Sequence, residues 1–110
     1  MATLFKNKLY SELGTTTTTV LTTENNAKTT VIGLSLSNLT SSIVLVDIQI
    51  VDTIASTSAY YIKSAMVPPS QSLRVINGGE RLVLGPSTEI KIKSTTDESL
   101  DLVLSYVEIV

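Results

Sequence analysis

Apolar and polar residues alternate almost without a break from Thr29 to Val110. Thr30-Val31-Ile32-Gly33-Leu34-Ser35-Leu36-Ser37 is one instance, and Val44 to Ile50, Ser72 to Val75, Arg81 to Leu84, Thr88 to Lys93 and Ser99 to Tyr106 are others. Side chains on a strand point alternately to its two faces, so period two predicts strands with one buried face. The spacing puts Ile32, Leu34 and Leu36 inward on one strand and Val44, Val46, Ile48 and Ile50 on the next. Leu73 with Val75, Ile90 with Ile92, and Leu100, Leu102, Leu104 and Tyr106 extend the core. The other face of the last strand carries Val103, Val107 and Ile109, which predicts burial on both sides or a bulge.

The connections read as turns. Asn38 to Ser42 is short enough to join its two strands as an antiparallel hairpin. Pro68-Pro69 cannot donate to a ladder and ends the strand begun at Ala59-Tyr60-Tyr61. Asn77-Gly78-Gly79 predicts a hairpin turn into Arg81 to Leu84. Thr15 to Thr23, rich in β-branched residues, reads as a further strand. The fold class is therefore all-β: an antiparallel β-sandwich of about eight strands, immunoglobulin-like or jelly-roll in type. Residues 15–110 form that sandwich.

Residues 1–14 form a separate N-terminal arm or edge segment. Leu4, Phe5, Leu9, Tyr10 and Leu13 fit a short amphipathic helix, an arm laid across a neighbour, or an edge strand, and the chain's one Phe lies among them. These five are the candidate partner-binding residues.

Composition narrows the chemistry. The 110 residues contain no Cys and no His, so thiol or imidazole catalysis and Cys/His metal sites have no residues to use. No Asp/Glu spacing matches a calcium loop, and Asp97-Glu98 with Asp101 reads as a solvated turn. No catalytic, cofactor-binding or metal residue is expected, and the chain does not read as an enzyme. Net charge is −2, without a Lys/Arg cluster, which argues against nucleic acid; no apolar run spans a membrane. The N-terminus lacks a signal pattern, so the Asn38-Leu39-Thr40 sequon is not expected to be modified. Only 16% of residues are charged, and Thr and Ser take their place. Such a surface is weakly protected against association.

The order of Thr30 to Asn38, Tyr60-Tyr61-Ile62-Lys63, Val67-Pro68, Ser72 to Val75, Gly78 to Leu84, Glu89 to Ile92 and Val107-Glu108-Ile109 resembles the small all-β virion structural proteins of tailed bacteriophages. The resemblance implies a particle component located in the virion and assembled in the host cytoplasm. Its expected role is capsid decoration or cement on the coat lattice, self-associating as a trimer. Its expected partners are the phage major coat protein or neck and tail proteins. A neck, tail, baseplate or fibre subunit is the alternative, and a host-carbohydrate-binding module is a further one. The family pattern brings no catalytic residues with it.

Overall fold

The computed structural model describes residues 2–76 and 80–110. Nine strands appear among them: β1 (Thr3–Leu13), β2 (Thr18–Thr22), β3 (Lys28–Asn38), β4 (Val44–Asp52), β5 (Thr57–Val67), β6 (Ser72–Ile76), β7 (Leu82–Leu84), β8 (Thr88–Ser94) and β9 (Leu100–Ile109). They form two antiparallel sheets. The front sheet has the order β1-β9-β3-β6, with β7 also paired to β3, and the back sheet has the order β2-β8-β4-β5.

Strand order distinguishes the two sandwich types. β1 pairs with β9, β2 with β8, β3 with β6 and β7, and β4 with β5, all antiparallel. Such nested pairing is one long hairpin, closed at β4–β5 and rolled up so that its halves lie in facing sheets. That is a jelly roll. The residues facing between the sheets are Leu34, Leu36, Val44, Val46, Ile48, Ile90, Ile92, Leu100, Leu102 and Leu104, all essentially inaccessible. Fully burying each such side chain contributes about 1.5–3 kcal/mol, so apolar transfer dominates the stability of a chain without disulfides.

The order also corrects several expectations. β3 and β4 lie in different sheets, so Asn38 to Ser42 crosses the sandwich and does not close a hairpin. Asn38 makes that crossing possible. It is 4% exposed, and its Nδ2 donates to the carbonyls of Ser42 and Val67 at 2.8 and 3.0 Å. Its Oδ1 accepts from the Thr40 N–H and Oγ1, both at 2.8 Å. A buried amide with its polar atoms satisfied stitches the loop to the end of β5. Asn77-Gly78-Gly79 lies outside the described residues. The strands on either side do not pair with each other, however; both run along the same edge of β3, β6 against Leu34–Ser37 and β7 against Thr29–Val31.

Bulges account for the remaining differences. In β3 the register against β9 passes from Val31↔Tyr106 to Gly33↔Ser105, leaving Ile32 as the extra residue. One extra residue switches the face of everything beyond it. Val31 is therefore fully buried, and Ile32, expected inward, is half-buried on the outside. Glu108, although charged, shares the inner face with Tyr106 and is 6% exposed.

Candidate interaction surface

The five candidate residues at the N-terminus do not form an arm or a helix. They lie on β1, an edge strand of the front sheet, paired with β9 from Thr3↔Ile109 to Leu13↔Leu100. Alternation then separates them. Leu4 and Tyr10 are aligned with Glu108 and Leu102 and share their inner face. Tyr10 is half-buried against the core, whereas Leu4 at the rim is 38% exposed. Leu13 is buried because an extra residue between Tyr10 and Leu13, with Glu12 at φ 57°, returns it to the inner side. Phe5 and Leu9 point out from the sandwich and are 79% and 68% exposed.

Phe5 and Leu9 are parts of rows that cross the sheet. One row is Phe5, Val107, Thr30 and Val83, on β1, β9, β3 and β7. A second is Leu9, Val103, Ser35 and Arg74, on β1, β9, β3 and β6. Between them runs Asn7, Ser105 and Gly33. Small residues in the middle row leave an open groove, lined by Phe5, Asn7, Ile32 and Ser105 together with the adjoining Lys6, Lys8 and Tyr106. Val83 and Val103 are exposed, while Val107 and Ile109 are half-buried. Among the described residues that the register places on this face, charge stands at the margins: Lys28 at one end of the strands, Asp101 at the other, and Arg74 on β6, with Arg81 exposed just before β7. Sequence reasoning noted Val103, Val107 and Ile109 as a second apolar face of β9 but not as part of this surface. Their recurrence at every second position was the available signal. Val83 and the outward Ile32 depended on pairings that only the fold supplies.

The outer face of the back sheet is of another kind. Asp47, Gln49 and Val51 on β4 lie opposite Lys93, Lys91 and Glu89 on β8. Lys63 Nζ approaches Asp47 Oδ2 at 3.2 Å, and Asp47 Oδ1 accepts from the Ser64 N–H at 2.8 Å. That N–H bond, with Lys63 beside it, holds the Asp47 carboxyl below its ordinary value. The contact secures the bulge where Ser64 takes φ 53°. Tyr60 is exposed on the edge strand β5, with Lys63 Nζ 4.4 Å from its ring centroid; Tyr61 packs against the core, and burial pushes its hydroxyl up.

The edge of β1 is guarded. Lys6 and Lys8 point to its inner side, and Lys6 Nζ reaches Glu108 Oε1 at 2.9 Å. The bond to Glu108 raises the Lys6 ammonium above its usual value. Inward charges on an edge strand discourage pairing with a further strand. At the far end of β1, Asp97 Oδ1 accepts from the Thr15 N–H and Oγ1, which hold its carboxyl low. The same Asp97 packs so closely on Gly14 that a Cβ there would lie 2.8 Å from Oδ1, so only glycine fits without a shift. No group of His, Cys, Asp and Glu among the described residues could hold a metal ion, and no helix among them is long and apolar enough to cross a membrane.

No protein-family model matches the sequence, and neither does any curated protein. Among solved structures, the T13 particle of IBDV superposes on 96% of this chain with a TM-score of 0.56 and 10% identity. The Gt strain of infectious bursal disease virus superposes on 98% with a TM-score of 0.49 and 9% identity. The chain spans 30% of the length of each of those proteins. At such identity the likeness is one of fold, and it places this sandwich beside that of a virus particle protein. The matched particles are not those of tailed phages.

Proposed function

We propose that the chain is a structural protein of a virus particle, acting by contact with neighbouring subunits and carrying out no catalytic step. The observation that carries this reading is the front sheet's outer face, apolar and hydroxyl-bearing across all its strands and free of charge except at its margins. Contiguous exposed apolar surface on a soluble domain marks an interaction site. The setting in a particle draws on the jelly-roll likeness and on the resemblance of the sequence to tailed-phage virion proteins. Fold alone does not assign function. Within the particle, the reading is a decoration or cement protein on the coat lattice. Phe5 and Leu9 from the N-terminal candidates, joined by Val83, Val103 and Val107, form its contact face toward a neighbouring subunit of the particle. Many modest contacts repeated by symmetry would then stabilise the assembled shell by mass action.

A host-carbohydrate role is less well supported. Tyr60 is the exposed aromatic on β5, but the Lys63 ammonium lies over one face of its ring and competes there with a stacking sugar. Cryo-electron microscopy of virions that carry this chain tests the proposal. Density on the outside of the head lattice is the expected result. Density in the neck, tail, baseplate or fibre would replace the cement role with the alternative, and virions without the chain would overturn the structural reading.

A further inference from the structure

We infer that the front sheet's outer face is covered by a second copy of this chain, the two sheets stacked face to face about a two-fold axis. This rests on reading that face as a contact surface, and it names the occupant.

Three observations lead there. The first is charge. The interior of the face has no ionised side chain, so two copies can meet without bringing like charges together. A two-fold axis that reverses strand direction sets the Lys28 end of one copy over the Asp101 end of the other, an opposite-charge match at both margins. The second is the placing of the apolar rows. The same axis, passing over the Asn7–Ser105–Gly33 row, sets the Phe5–Val107 row of one copy on the Leu9–Val103 row of the other, so that apolar side chains meet apolar ones twice. The third is area. β1, β3 and β9 run for 10 or 11 residues, and β6 and β7 together flank β3 as a fourth row. At about 3.3 Å per residue and about 4.8 Å between strands, these four rows offer a footprint of roughly 700 Å². A stable interface of standard size buries about 800 Å² on each partner.

The free edge of β1 is the other route by which this sheet could self-associate, and it is disfavoured. Antiparallel pairing of β1 with its copy centred on Asn7 would set Lys6 against Lys8 of the partner, which is destabilising. Face-to-face stacking leaves both lysine side chains on the inner side of β1, where Lys6 meets Glu108. The charged back sheets then point away on opposite sides of the dimer.

Light scattering of the purified full chain across a dilution series tests the inference. A dimer mass is expected at about 100 µM, dissociating on dilution. Phe5→Asp and Val83→Asp, on opposite edges of the face, should each raise the dissociation constant by at least about 30-fold. Both side chains are more than 70% exposed, and circular dichroism should be unchanged. Lys93→Glu on the back sheet should leave the dimer intact. A wild-type chain that stays monomeric, a trimer in place of the dimer, or a dimer that survives both front-face substitutions would overturn the assignment. The dimer and the virion role fail separately. A dimer from a chain found in no particle removes the role and keeps the interface, and a monomer located on a head does the reverse.

Discussion

The two sheets bury inner faces of the same kind and present outer faces of different kinds. Behind β9 and behind β8 the core is Leu, Ile and Val at full burial. In front of β9 stand Val103 and Val107 beside Phe5 and Leu9; outside β8 stand Glu89, Lys91 and Lys93 facing β4 with its Asp47. Folding requires only the inner faces. The outer face of the back sheet is an ordinary solvated one, with opposite charges across strands. The front sheet carries apolar side chains where folding does not require them, and that surplus is the reason to place contact there.

Substitutions can sharpen or break this contrast. The largest effects should be the same for both sheets, because their inner faces are equivalent. Leu102→Ala and Ile48→Ala should each cost about 2–5 kcal/mol in urea unfolding. A cost confined to one sheet would break the equivalence. Next in size is Asp47→Ala on the back face, expected to cost about 1 kcal/mol through loss of the Ser64 and Lys63 contacts, discounted for exposure. Because the Asp47 and Asp97 carboxyls are both held below their ordinary 3.8, the folded chain binds fewer protons than the unfolded one in acid. Their stabilisation is present above that value and is lost as pH falls below it. Thermal unfolding of Asp47→Asn should accordingly show a shallower loss of stability between about pH 5 and pH 2. Thr29→Val, on the inner side of the front sheet, removes a buried hydroxyl with no hydrogen-bond partner among the described residues and should raise stability by about 0.5–1 kcal/mol. Smallest is Val103→Thr on the front face. It should leave monomer stability within about 0.5 kcal/mol while weakening self-association. A large stability loss there would mean that the front face belongs to the core.

Alternation made much of this fold legible. Val44, Val46, Ile48, Ile90, Ile92 and the even positions of β9 point inward as the period requires. Ile32 and Leu13 depart from that period because each lies at or beyond a bulge, and a bulge is defined by a partner strand distant in sequence. The Asn38 to Ser42 connection looked like a hairpin because its length permits one. Whether a short connection closes a hairpin or crosses a sandwich depends on which strands pair, and those pairings here join residues as far apart as Thr3 and Ile109. Glu108 lies on the inner face that the period gives the even positions of β9, and its charge is met there by Lys6 from the other end of the chain. Of the five N-terminal candidates, Phe5 and Leu9 reach the proposed surface. The others turn inward according to a register that only β9 sets.

The nested order of pairing also sets a sequence of events in time. β4 and β5 are joined by a short loop and can close early, whereas every further pair requires a larger closure. β1 has no sheet neighbour other than β9, so it stays unpaired until β9 settles between it and β3. A topology dominated by such distant pairings belongs to the slow end of folding, on a scale of about milliseconds to seconds. Inward-pointing lysines would disfavour the pairing of β1 with a foreign edge for as long as it lacks β9. Residues that protect the edge of the finished molecule would thus protect the same strand before it is paired.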